Sequence, residues 1–365
     1  MSVTLREGDV DAFFDTPFAI YDAAVGYVSP LKSDIRRMLD AKRNPLWTSG
    51  NPYRFWTAHR KGRPVGRIVA HVHGQSDALH RTRRAQFGFF DCADDGEAAT
   101  ALLDAATAFA RDQGQADLIG NFNLTAMQQA GVQTGGFGAQ PYTDMVVGPP
   151  HLPRLLEANG FEAVFPMTTF DIDLAQVRLP EPRGFTPSDG FSFAPVEKSV
   201  FPERMDEARQ VLNDGFANNP MFVPLTREEF EFQAGEMSAI LDPRLSSVLH
   251  HDGSPIGTII CIPDLNGFLA ATRSRIGVTT PFHYLRYRLN RKRAVIIFYS
   301  VVHAWHGRGV MPAMLARTVR ALRGAGYERL GVTWIADQNA ASLRQMERLG
   351  AMPLQRLHLF RKDVA

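Results

Sequence analysis

Between residues 300 and 332 the chain reads SVVHAWHGRGVMPAMLARTVRALRGAGYERLGV, and His306, Gly307, Arg308 and Gly309 stand in it where a helix opens. Pro312 is tolerable only in a first helical turn, which places the helix start just before it. The backbone amides around 307–312 therefore include the unpaired donors of a helix N-terminus. Those donors, with the helix dipole, suit a phosphorylated ligand, and Arg308 would add a charge-assisted bond. An ordinary tight turn uses the same residue types, so the stretch alone leaves both readings open. The helix itself is well specified. Val310, Met311, Met314, Leu315, Thr318, Val319 and Leu322 form one buried stripe, with Arg317, Arg320 and Arg323 on the opposite, wet face.

The elements around this turn occur twice along the chain. "RFWTAHRKGRPVGRIVAHV" and "SSVLHHDGSPIGTIICIP" both predict strand, turn, strand, with Gly62, Pro64 and Gly66 answered by Gly253, Pro255 and Gly257. Downstream, "QFGFFDC" and "VIIFYSVV" are apolar strands, each followed by a helix that glycine ends, near Gly114 and near Gly324–Gly326. The strands "ADLIGNF" and "RLGVTWI" come next, then a further helix and a closing strand in each half. The polar, Pro- and Gly-rich stretch 178–190 predicts a linker between domains at 1–177 and 191–365. The order of elements predicts an α/β (α+β-like) fold with two units, each a mixed, largely antiparallel sheet flanked by helices. In the second half, Thr226 followed by Glu229 is a capping-box pattern on one of two opening helices.

Composition excludes several classes. The 365 residues carry a formal net charge of +2, which gives no whole-protein case for nucleic acid. The two cysteines, Cys92 and Cys261, imply neither a disulfide framework nor a metal site, and suit a reducing compartment. No apolar run is long enough to span a bilayer, and the first residues show no basic-then-apolar leader. A cytoplasmic location is expected.

The stretch 295–363 resembles the core of the GCN5-related N-acetyltransferase (GNAT) superfamily. "HGRGVM" is similar to that family's pyrophosphate turn: His306 stands at the Gln/Arg position, Gly309 at the central glycine, and Met311 where glycine or alanine is usual. Asn339 through Gly350 resembles the later signature in spacing, with Ala351 in place of an aromatic. The two halves together resemble tandem members of the superfamily. The resemblance implies an acyl-CoA-dependent N-acyltransferase, with acetyl-CoA or another acyl-CoA as cofactor. A small-molecule or peptide amine is the expected acceptor. It also implies a cofactor site of Val301, Val302, His306, Gly307, Arg308, Gly309, Val310, Met311 and Asn339, with no metal. In the first half the corresponding turn is "ADDGEAAT", where Asp94, Asp95 and Glu97 would repel a pyrophosphate, so that site is expected to be degenerate.

Amine acylation needs a base for the amine and a proton for the leaving thiolate. The tyrosine that often supplies that proton in the family would fall at Met346, which cannot donate one. His303, expected on the strand before the turn, Tyr299 on that strand and Asp337 after the next are the candidate catalytic residues. Each has a structural alternative: His303 at a strand end, Tyr299 in a core, and Asn339 beside Asp337 as a helix cap. The loop 120–145, with Asn121, Asn123, Gln140 and Tyr142, lines a substrate pocket or is simply hydrogen-bonded loop. The basic clusters at 80–84 and 286–293, the second interleaved with Phe282, Tyr284 and Tyr287, suit an acidic substrate, RNA or a membrane surface. A solvated helix face explains them as well, and no membrane or nucleic-acid partner is expected. Two alternatives to catalysis with acyl-CoA stand beside this reading: a non-catalytic binding protein of the same fold, and an aminoacyl-tRNA-dependent transferase.

Overall fold

A computed structural model describes residues 2–22, 25–179, 189–235 and 237–365. Most of the expected linker, 180–188, lies outside the described residues. In chain order the first elements are β1 (Thr4–Glu7), α1 (Val10–Ile20), α2 (Lys32–Met38), β2 (Tyr53–Arg60), β3 (Arg63–Val72) and α3 (Gly74–His80). β4 (Arg84–Cys92), α4 (Gly96–Asp112), β5 (Asp117–Gly120), β6 (Val132–Gly135), α5 (His151–Ala158) and β7 (Glu162–Asp173) follow. Then come β8 (Phe191–Pro195), α6 (Phe201–Gly215), α7 (Arg227–Ala234), α8 (Met237–Ile240), β9 (Ser247–His251) and β10 (Ser254–Pro263). The chain closes with α9 (Asn266–Thr272), α10 (Thr280–Asn290), β11 (Arg293–Val301), α11 (Val310–Gly324), β12 (Arg329–Ala336), α12 (Ala340–Arg348) and β13 (Met352–Asp363).

Two compact units form. Unit 1 comprises residues 1–168, 266–285 and 354–365; unit 2 comprises 169–265 and 286–353. The segments 266–285 and 354–365 thus group with unit 1 although the sequence reading places them in the second half. For the last segment the reason is pairing: Phe360–Asp363 of β13 runs antiparallel to Gly120–Asp117 of β5.

The strand order is alike in the two units. In unit 1 the order is β1-β2-β3-β4-β5-β13, with β6 also on β13. β2 and β3 form a hairpin closed by Lys61 and Gly62, both at positive φ (53° and 77°). In unit 2 the order is β7-β12-β11-β10-β9-β8. There β9 and β10 form the matching hairpin, closed by Asp252 and Gly253 at φ 48° and 78°. Two consecutive positive-φ residues make the turn whose twist suits adjoining strands, which is why Gly recurs at the same place in both. Each hairpin then pairs antiparallel with a third strand, β4 or β11, which pairs parallel with a fourth, β5 or β12. One helix crosses each parallel pair. α4 buries Ala98, Leu102, Ala106 and Phe109 against unit 1's sheet, and α11 buries Val310, Met314, Leu315 and Val319 against unit 2's. In unit 2, α6 covers the other face so closely that a Cβ at Gly215 would lie 2.0 Å from the Ser300 hydroxyl.

Candidate functional site

In both units the third strand bulges where it leaves its parallel neighbour. In unit 2, β11 and β12 are in register only over Arg293–Ile296 and Arg329–Val332. Against β10, Ile296 pairs with Cys261 and Phe298 with Ile260, so Ile297 is an extra residue. A bulge adds twist and bends its strand, and here it turns β11 away from β12. Beyond it the strands run on to Val301 and Ala336 as the sides of a wedge, bridged at its base by Thr333 Oγ1, which donates to Ile297 O at 2.9 Å. In unit 1 the parallel register ends at Phe87–Gly120, and β4 takes its extra residue at Phe89–Phe90, with Phe89 at φ 49°.

What fills the wedges differs. In unit 1 the 120–145 loop enters. Asn123 Oδ1 accepts from Phe89 N at 2.8 Å and Asn121 Oδ1 from Phe90 N at 3.0 Å. Asn121 Nδ2 donates to Asn123 Oδ1 at 2.9 Å, and Asn123 Nδ2 to Gln129 Oε1 at 2.8 Å. The loop backbone lies directly on the strand: a Cβ at Gly88 would fall 1.6 Å from Phe122 O. Asn121 and Asn123 thus satisfy the β4 amides, and both also line a small pocket with Arg67, Asp91 and Gln133, while Gln140 lines a second one beside Tyr21 and Tyr27.

The helix mouths differ in the same sense. At α4 the Asp95 side chain accepts from Ala98 N at 3.1 Å, the place an anion would take. Arg60 grips Asp95 bidentately at 2.8 and 2.9 Å and reaches Glu97 at 2.8 Å, holding both carboxyls below their usual range. Asp94 is paired with Arg154 at 2.8 Å. Two arginines offset most of the charge of the three acids, and the Asp95 carboxylate caps the helix. At α11 the cap is Gly309, at φ 80°, with no side-chain hydrogen bond. Glycine takes this left-handed backbone without strain. Ala313 N donates to Gly309 O at 3.2 Å, and no protein acceptor among the described residues takes the amides of Gly309, Val310 and Met311. Gly307, at φ 75°, has open space where a Cβ would stand. Met311 packs its side chain toward the unit 2 core, as its place in the apolar stripe predicts. Of the expected wet face, Arg320 and Arg323 are exposed, whereas Arg317 is half-buried over the Phe193 ring, 5.2 Å from its centroid.

The other sequence-predicted residues gather around the end of β11. His303 is not on the strand: Val302 N bonds to Ile256 O and the chain turns into a short 3-10 helix, His303–Trp305. Asp214 of α6 accepts from His303 N at 2.5 Å and from its Nδ1 at 3.2 Å. Asn218 Nδ2 donates to His303 Nε2 at 3.0 Å, an arrangement the neutral ring with its proton on Nδ1 satisfies. The His306 ring lies 4.7 Å from that of His303 and donates from Nε2 to Val301 O at 2.8 Å. The Val302 carbonyl accepts from Trp305 N at 2.9 Å. These bonds engage main-chain groups of Val301 and Val302 within the turn. The Arg308 guanidinium lies over Trp305, 5.1 Å from its centroid.

Tyr299 lies on the face of β11 toward α12. Its hydroxyl is enclosed beside Ser342 without a well-formed hydrogen bond, and burial pushes its pKa up to about 12 against a smaller opposing pull from Ser342. Asn339 caps α12, accepting from Ser342 N at 3.1 Å, and the exposed Asp337 precedes it. Met346 is fully buried in the unit 2 core. Sequence reasoning missed Asp214 and Asn218, whose signal was only that α6 belonged to the second half. Cys92 and Cys261 are buried free thiols, both pushed up by burial and unsuited to nucleophilic work. Among the described residues no cluster of His, Cys, Asp and Glu could hold a metal, and no helix is long and apolar enough to cross a membrane.

Comparisons with known proteins agree with this geometry. Residues 211–351, which include α11 and its turn, match the Acetyltransferase (GNAT) family. Protein YghO of Escherichia coli (strain K12) is 26% identical over 99% of this chain and 94% of its own length. The bacterial ceramide synthase of Caulobacter vibrioides (strain NA1000 / CB15N) is 24% identical over 97% of this chain and 94% of its own. A solved tandem GNAT protein from the clavulanic acid biosynthesis pathway covers 100% of this chain and 99% of its own, with a TM-score of 0.58 at 14% identity. Residues 211–351 thus match the GNAT acetyltransferase family, and the chain as a whole carries the fold of a solved tandem two-domain GNAT protein.

Proposed function

We propose that the chain is an acyl-CoA-dependent N-acyltransferase that binds its coenzyme in unit 2 alone. The contrast between the two helix mouths carries this assignment: α11 leaves its first amides open behind a side-chain-free cap, whereas the Asp95 carboxylate itself sits over the mouth of α4, accepting from Ala98 N. Open amides at the positive end of a helix are suited to a diphosphate. The wedge beside Ile297 would take the pantetheine arm, and its counterpart in unit 1 is filled by Asn121 and Asn123. Val301, Val302, His306, Gly307, Arg308 and Asn339 flank this path. Bound coenzyme would supply an activated acyl group. His303, held by Asp214, takes the proton of the acceptor amine, for which the Asn218 amide must give way. Tyr299, protonated at neutral pH like any tyrosine and held so further into alkali by its burial, carries the proton that the leaving group needs. Asp337, exposed between β12 and α12, is the remaining candidate for the acceptor.

Thermal melts with CoA, acetyl-CoA and longer acyl-CoAs test this. A ligand that binds only the native state adds about 2.7 kcal/mol at a hundredfold excess over its dissociation constant. The wild type should show such a shift, Gly309→Glu should lose it, and Asp95→Ala should keep it. No response to any of the series would remove the assignment. Binding without thiol release from any amine would leave a non-catalytic binding protein. A long acyl donor is the second reading, favoured by the relative named bacterial ceramide synthase, since a ceramide is an N-acyl amide of a lipid base. It predicts the largest shift from the longest chain in the series.

A further inference from the structure

Exposed large apolar side chains concentrate in one short stretch. Ile276, Val278, Phe282, Leu285 and Leu289 are 70, 101, 65, 56 and 75% exposed, five of the nine such residues among those described. Single exposed apolar residues are ordinary on a surface; five within fourteen positions are not. On α10 the spacing places Phe282, Leu285 and Leu289 on one stripe about 60° wide, with Arg286 and Arg288 on its two flanks. The helix cannot roll the stripe inward, because Tyr284 on another side packs edge-on against Phe268 of α9 at 5.7 Å. No residue of α10 is fully buried.

Charge says what suits this face. Residues 266–293 contain seven arginines and lysines and no aspartate or glutamate. Arg275 is paired with Asp15, whereas Arg286 and Arg288 are exposed with no carboxylate partner among the described residues. An apolar stripe between unpaired arginines matches the boundary layer of a bilayer. The apolar side chains enter at the depth of the first methylenes, and the guanidiniums meet headgroup phosphates. We propose that α10 and the loop before it, with Ile276 and Val278, dock on an anionic lipid bilayer as a surface anchor. This departs from the expectation of no membrane partner, and it is independent of the catalytic assignment.

Co-sedimentation of the full chain with phosphatidylcholine vesicles, with and without phosphatidylglycerol, tests it. The wild type should partition at least about tenfold more strongly onto the anionic vesicles, and less as salt rises. Arg286→Gln with Arg288→Gln should cost about fivefold per charge on anionic vesicles. Ile276→Ser with Phe282→Ser and Leu285→Ser should lose about tenfold or more while melting as the wild type does, since all three are exposed. Wild-type protein left in the supernatant with anionic vesicles would overturn the proposal. So would a triple serine variant that binds undiminished. A wild-type dimer that the serine variant dissolves, seen by light scattering, would assign the face to a second copy of the chain and equally overturn it.

Discussion

Tyr299 buries its hydroxyl beside Ser342 without a well-formed hydrogen bond, a costly arrangement unless something else uses it. A merely structural tyrosine there would gain from losing its oxygen. Tyr299→Phe should therefore leave the melting temperature unchanged or raise it, while lowering kcat on the order of a hundredfold with little change in the KM for acyl-CoA. Loss of stability with full activity would make Tyr299 a packing residue. The sequence made His303, His306 and Tyr299 visible because strand and turn bring them close along the chain. It did not reveal what holds His303. Asp214 and Asn218 lie 89 and 85 residues away, and only the packing of α6 against the end of β11 joins them. Met346 was legible as a departure from the family pattern, and its full burial adds that the position faces the core.

At the scale of elements, α4 and α11 are equivalent helices with opposite mouths. A side-chain N-cap stabilises a helix by about 1 kcal/mol, so Asp95→Ala should destabilise the chain by about that much, measured by denaturant unfolding. It should not create a second coenzyme site, because the wedge behind α4 stays filled by Asn121 and Asn123. The acidic turn ADDGEAAT predicts repulsion of a pyrophosphate by charge; in the structure Arg60 and Arg154 offset most of that charge, and Asp95 acts as a helix cap. The paired hairpins were legible through Gly62 and Gly253, since only a few residue types accept positive φ at such turns. The wedges were not. A bulge is a register between strands, and nothing local in VIIFYSVV marks Ile297 as the residue left over.

At the scale of the whole chain, stability should fall in mild acid. His71 on β3 is fully buried, and burial lowers its pKa to about 3, with the neighbouring His73 adding to the shift. The unfolded chain takes up that proton near the ordinary histidine value of about 6.5, and the native chain does so only near 3. Between these values the unfolded state binds more protons, so stability drops by about 1.4 kcal/mol for each unit the pH falls. His71→Phe, which keeps an aromatic ring against Trp47, should flatten that slope in urea unfolding followed from neutral pH downward. The division into two similar halves was legible from the repeated order of elements. The assignment of 354–365 to unit 1 was not, because it depends on which strand β13 pairs with. The central claim is that one unit is open to coenzyme and the other closed by its own side chains. Isothermal titration of the full chain with CoA measures this directly: the account predicts one site per chain, and a stoichiometry of two, or no binding, would contradict it.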